Sequence, residues 1–221
     1  MSQESDRLRS GSWAGWSTIS PNNNPSFTIW LTGLPGTGKT TLALFLKKAL
    51  VTRGYNVEII DNQTLSHWMN LELKLKEELF EETSRILGYD AFVTYICTLL
   101  TRNGVICITS FVSPFTAARN FAREQLSKFV EVYLYCSDEL RDKRLQKLGN
   151  IPAITSELYQ SPTMPELRLN TGEDYPERST IRLISYLEQH SYLAPLWDDI
   201  ETDDEEIASI KSRLQAMGYL D

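Results

Sequence analysis

The run Phe27-Thr28-Ile29-Trp30-Leu31-Thr32 leads directly into Gly33-Leu34-Pro35-Gly36-Thr37-Gly38-Lys39-Thr40. The first six residues are mostly apolar and β-prone, the pattern of a buried strand. The next eight match the phosphate-binding loop GxxxxGK(S/T) in full. Glycines at these spacings let backbone N–H groups curl round phosphate oxygens, and the helix that follows adds the favourable dipole of its N-terminus. Leu42, Phe45, Leu46 and Ala49 predict that helix over Thr40–Arg53, with Gly54 as its stop. Gly33, Leu34, Pro35, Gly36, Thr37, Gly38, Lys39, Thr40 and Thr41 are therefore the expected nucleotide-binding residues. Lys39 is placed to reach the β- and γ-phosphates of ATP, and Thr40 to offer its hydroxyl to Mg²⁺.

Working outward, Val57–Asp61, Val105–Thr109 and Phe129–Tyr135 read as three more strands. Helical spacing predicts helices over Thr64–Leu87, Ala91–Asn103, Pro114–Leu126, Asp138–Leu148 and Pro176–Gln189. Gly149–Pro165 holds three prolines and no clear period, which predicts a loop. Strands alternating with helices imply an α/β chain: a mainly parallel sheet with helices on both faces, the three-layer sandwich of P-loop nucleotide-binding proteins. Residues 1–25, rich in Ser, Asn, Gly and Pro, read as a flexible leader with Trp13 and Trp16 as anchors. Residues 26–190 form the expected nucleotide-binding domain. Residues 191–221 are an acidic linker and a C-terminal helix striped with Ile207, Ile210, Leu214 and Met217.

The 221 residues are 42% hydrophobic and 23% charged, ordinary for a soluble globular protein. Lys plus Arg number 22 against 29 Asp plus Glu, a net charge of -7 that disfavours a broad nucleic-acid surface. No apolar run approaches the roughly 20 residues that cross a bilayer, so no membrane association is expected. The polar start, Met1–Trp16, lacks an apolar h-region and reads against a secretory leader. Cys97, Cys107 and Cys136 form no CxxC pair and suit a reducing, cytoplasmic setting. With only His67 and His190, a zinc site has few ligands to draw on.

Asp61 ends the second strand, at the carboxyl edge where ligands of open α/β sheets gather. A carboxylate there can accept a substrate hydroxyl's proton or hold magnesium; it can equally be the Asp that opens the Asp61-Asn62 turn. Ser113 and Pro114 follow the third strand at the same edge. Arg119 and Arg123 come one turn apart on the next helix, where they face bound phosphate or are ordinary surface arginines. Arg144 and Lys147 stand before the proline-containing loop, where a mobile lid would be hinged or where basic residues cap a helix end.

The segments Phe27–Thr40, Arg53-Gly54-Tyr55-Asn56-Val57-Glu58 and Cys107-Ile108-Thr109-Ser110-Phe111-Val112-Ser113-Pro114-Phe115 resemble adenylylsulfate kinases. The resemblance runs from about Phe27 to Leu187. It implies transfer of the γ-phosphoryl of MgATP to the 3′-hydroxyl of adenylylsulfate, giving 3′-phosphoadenylylsulfate. By resemblance, Asp61 is the base or metal organiser, and Ser113, Pro114 and Arg119 line the adenylylsulfate pocket. Arg144 and Lys147 fall with the R-D-x-K-G element near the nucleotide and the lid, with Lys147 on the substrate side. A homodimer is implied too, with ATP sulfurylase as a candidate partner.

The sequence also departs from the family. The D-G-D-x-x-R motif reads Asp61-Asn62-Gln63-Thr64-Leu65-Ser66, without its second acid and its arginine. The D-R-x-x-N-x-R-R segment has no clear counterpart, and the lid between Lys147 and Tyr159 is short and lacks F-T-G. These losses fall on the acceptor side, while the ATP side is kept. Two other readings stand beside the first. One is a kinase for another small hydroxyl compound, its pocket rebuilt around His67, Trp68 and Tyr89. The other is a nucleotide-binding regulatory module of sulfate activation that does not turn over.

Overall fold

In the computed structural model, residues 25–61, 64–65, 82–148 and 157–195 are described. Five strands form one sheet: β1 (Thr28–Thr32), β2 (Val57–Asp61), β3 (Ile106–Ser110), β4 (Phe129–Tyr135) and β5 (Leu167–Asn170). Their order is β2-β3-β1-β4-β5, and every neighbouring pair is parallel. Parallel neighbours need crossovers, supplied by α1 (Lys39–Thr52), α2 (Glu82–Arg102), α3 (Thr116–Gln125) and α4 (Asp138–Leu148), while α5 (Pro176–Gln189) follows the last strand. Residues up to Ile181 make one compact unit and those from Arg182 a second. Within the second, the Tyr186 and His190 rings stack 4.0 Å apart.

β1 takes the centre because all five of its residues are buried. Successive side chains alternate between the two faces of a strand. Trp30 therefore joins Cys107, Phe111 and Phe129 in a core closed by Val93 and Cys97 of α2 and Ala122 of α3. Ile29 and Leu31 point to the opposite face. There α1 packs on β1, β2 and β3 and buries Leu42, Ala43, Leu46 and Leu50. Each such leucine contributes roughly 1.5–3 kcal/mol. The left-handed Gly54 and Gly104 end α1 and α2 and turn the chain back into the sheet. No helix among the described residues is long and apolar enough to cross a membrane.

The structure corrects two sequence expectations. Leu167–Asn170 is a fifth strand, where no strand was expected; it pairs with Val132–Tyr135 at the edge of the sheet. Its four residues are too short a window for periodicity to declare itself. The helix expected to begin afresh at Ala91 is instead one unbroken helix, α2, from Glu82. Gly88 lies between the two expected helices. It is not at positive φ, and a side chain there would meet open space, so the helix runs through it for about 1 kcal/mol. Most of the expected Thr64–Leu87 helix, the Trp13 and Trp16 leader, His67, Trp68 and the C-terminal stripe lie outside the described residues.

Candidate active site

β1 delivers the chain to its carboxyl edge at Gly33, and the loop closes on β4 so tightly that only glycine fits. A Cβ on Gly33 would lie 2.3 Å from the Leu134 carbonyl oxygen. Gly36 and Gly38 turn the loop with φ of 82° and 88°, the left-handed region that glycine enters freely. Gly38 then opens α1, whose second turn begins with the Leu42 N–H donating to the Gly38 carbonyl at 3.0 Å. Thr37 pins the turn through Oγ1 to the Leu34 carbonyl at 2.8 Å.

Lys39 lies almost wholly buried beneath this loop. Its Nζ donates to the carbonyls of Gly33 at 2.7 Å and Leu34 at 2.9 Å. Burial pulls its ammonium down to about 7, while the nearby Cys136 pulls the other way. One residue on, Thr40 Oγ1 lies 3.2 Å from Ser110 Oγ at the end of β3. Ser110 stands in register with Asp61, the last residue of β2. Asp61 Oδ1 accepts the Thr64 N–H at 2.8 Å.

A cavity of about 1050 Å³ opens over these groups, lined by Lys39, Thr40, Thr41, Asp61, Ser110 and Val112 on one side. Leu140, Arg144 and Lys147 of α4 and the turn Thr171–Pro176 line another. Arg144 joins the two sides. It donates to the Gly36 carbonyl at 3.3 Å, to Thr171 Oγ1 at 3.0 Å and to the Thr171 carbonyl at 2.8 Å. Thr171 Oγ1 in turn donates to the Thr37 carbonyl at 2.9 Å. Sequence reading missed Thr171 and Ser110. The signal for Thr171 was the Asn170-Thr171-Gly172 turn after an alternating Leu-Arg-Leu, legible only once β5 is known to be a strand.

Ser113, Pro114 and Arg119 are not in the wall of this cavity but behind it. Ser113 is buried and left-handed, with φ of 46°. Its Oγ accepts the indole N–H of Trp30 at 3.1 Å, and its carbonyl accepts Arg119 Nη1 at 2.6 Å. Arg119 is only 2% exposed, and its remaining donors go to Glu131 Oε1 at 2.7 Å, Thr116 Oγ1 and the Gln160 carbonyl. This arginine is no surface group, and its guanidinium is engaged within the protein. Arg123 likewise bonds Glu166 and Glu131 and lies 4.8 Å over the Phe129 ring. Asp90, a residue sequence reading did not single out, is buried against Ser113. Burial lifts its carboxyl to about 6, against the Ser113 hydrogen bond and the Arg119 charge.

The sequence profile of the family described as adenylylsulphate kinase matches residues 25–170, spanning the loop, the cavity's β3 edge and β5. The chain belongs to the adenylylsulfate kinase family. It is 38% identical over 176 residues to a probable adenylyl-sulfate kinase of Pyrococcus abyssi, covering 76% of this chain and 98% of that one. An adenylyl-sulfate kinase of Clostridium acetobutylicum is 36% identical over 176 residues, covering 75% and 84%. Among solved structures, the Mycobacterium tuberculosis APS kinase CysC, in complex with AMPPNP and APS, is 25% identical with a TM-score of 0.64. That match covers 75% of this chain and 99% of the other.

Proposed function

We propose that this adenylylsulfate kinase family member transfers the γ-phosphoryl of ATP to the 3′-hydroxyl of adenylylsulfate, giving 3′-phosphoadenylylsulfate and ADP. The observation that carries the reading is the meeting of the Gly33–Thr40 loop, Lys39, Thr40, Ser110 and Asp61 in one cavity at the sheet's carboxyl edge. The family match supplies the acceptor.

In this reading the loop's N–H groups and the start of α1 hold the phosphates. Lys39 exchanges its bonds to the Gly33 and Leu34 carbonyls for the β- and γ-phosphate oxygens. The bond from the γ-phosphorus to the β-γ bridging oxygen breaks as a new one forms to the acceptor oxygen. Asp61 accepts the hydroxyl proton, and the liberated charge stays on ADP. Thr40 and Asp61, hard oxygen donors on one wall, fit Mg²⁺, which when bound neutralises phosphate charge. Arg144, held between Gly36 and Thr171, borders the nucleotide, and Lys147 the lid side. Ser113 and Pro114 back the acceptor's side, and Arg119 positions Ser113. The same reading extends to a cytoplasmic homodimer, with ATP sulfurylase as the enzyme that hands over adenylylsulfate.

A second reading keeps the chemistry and changes the acceptor to another small hydroxyl compound. It is favoured by the Asp61-Asn62-Gln63 departure, which lacks the family motif's second acid. The test is ADP release with MgATP and either adenylylsulfate or a panel of small alcohols. Adenylylsulfate alone is expected to stimulate release, and Lys39→Ala to reduce it about a hundredfold or more with the fold intact. Stimulation by a different alcohol supports the second reading. ATP binding with no release on any acceptor points to a regulatory module.

A further inference from the structure

The segment Leu158–Pro162 is fastened to the loop after β3 and to the start of α3 by bonds from outside both elements. The Gln160 N–H donates to the Pro114 carbonyl at 2.9 Å, and Gln160 Oε1 accepts the Thr116 N–H at 2.9 Å. The Gln160 carbonyl accepts Arg119 Nη2 at 2.7 Å. One side chain and its own peptide groups thus hold three points of the Ser113–Arg119 stretch. Just before it, Tyr159 OH lies 3.0 Å from Thr32 Oγ1, which itself donates to the Val112 carbonyl at 2.7 Å.

What these bonds hold is a strained turn. Ser113 is left-handed, a conformation L residues keep only where their surroundings fix it. Val112 beside it lines the cavity, as does Ser110. Gln160 itself is exposed and outside the cavity wall, so it can act on the cavity only through this turn. The Thr116 N–H is the first of α3, a donor with no partner inside the helix, and Gln160 Oε1 supplies one.

We infer that Gln160 is a positioning residue for the acceptor: it caps α3 from across the chain, fixes the Ser113 turn and so sets the acceptor-side wall. The inference rests on the kinase reading above, and on the acceptor meeting the face that Val112 and Ser110 present. ATP phosphates meet the Gly33–Thr40 loop, which Gln160 does not touch.

The experiment compares Gln160→Ala with Gln160→Glu, whose carboxylate still accepts from Thr116. In Gln160→Ala, KM for adenylylsulfate is expected to rise about threefold or more, the loss of one hydrogen bond, while KM for ATP stays put and the melting temperature falls only by the few degrees of one lost helix cap. Gln160→Glu restores the acceptor KM. An unchanged acceptor KM, or equal rises for both substrates, overturns the inference. Amide hydrogen exchange at Thr116 and its neighbours, measured without substrate, is expected to quicken in Gln160→Ala and recover in Gln160→Glu. That arm stands apart from the choice of acceptor: wild-type inertness toward adenylylsulfate defeats the kinase reading, whereas unchanged exchange defeats the role of Gln160.

Discussion

Lys39 carries the tightest link between a single residue and the proposed chemistry. Burial holds its ammonium near 7, far below the 10.5 of an exposed lysine. Between those values the unfolded chain binds more protons than the folded one, so this residue's contribution to stability rises with pH across the window from 7 to 10.5. Phosphate oxygens set against Nζ favour the charged form. ATP binding at pH 8 is therefore expected to take up a proton, measured by calorimetry as a binding enthalpy that varies with the buffer's ionisation enthalpy. Lys39→Met should abolish the variation; a buffer-independent enthalpy in the wild type contradicts it. The glycines and Lys39 were legible in sequence because each answers a local backbone or phosphate demand, as Gly33 does against Leu134. Asp90 was not. Nothing beside it in α2 marks a carboxyl whose partner, Ser113, comes from another element.

Elements are joined here by a run of charge that is buried at Arg119 and Glu131 and partly exposed at Arg123 and Glu166. Arg119 and Arg123 of α3 grip Glu131 of β4, and Arg123 also grips Glu166, whose Oε2 accepts the Glu131 N–H at 2.7 Å. Burial works against the Glu166 carboxylate, but the Arg123 fork and that N–H hold it below the usual range. Removing one partner of a buried pair leaves the other charge unmatched. Arg119→Met should lower the unfolding free energy by about 3 kcal/mol, read from urea denaturation, and Glu131→Gln added to it should recover part of the loss. Equal stability of wild type and Arg119→Met contradicts the assignment. The one-turn spacing of the two arginines was visible in sequence, but their partners lie 12 and 43 residues away. Local periodicity cannot encode such pairings. The strand β5 was missed for a related reason: its identity comes from the register with β4 rather than from its four residues.

At the scale of the whole molecule, the order β2-β3-β1-β4-β5 brings the carboxyl ends of β1, β2 and β3 together, and with them Gly33, Asp61 and Ser110. The alternation of strands and helices was enough to foresee that edge, since a parallel sheet sends all its strand ends one way. The acceptor's identity was less legible. The departures at Gln63 and Ser66 remove charge on the acceptor side without naming what replaces it. Arg119, carried over from the family as a pocket residue, donates to the Ser113 carbonyl, a long-range partner its own helix does not reveal. The most direct measurement is the identification by mass spectrometry of the product formed from MgATP and adenylylsulfate, with fragmentation to locate the new phosphoryl group. The account predicts a single phosphoryl added at the ribose 3′ position. Recovery of unmodified adenylylsulfate, while another alcohol in the same mixture gains the phosphoryl group, would contradict it.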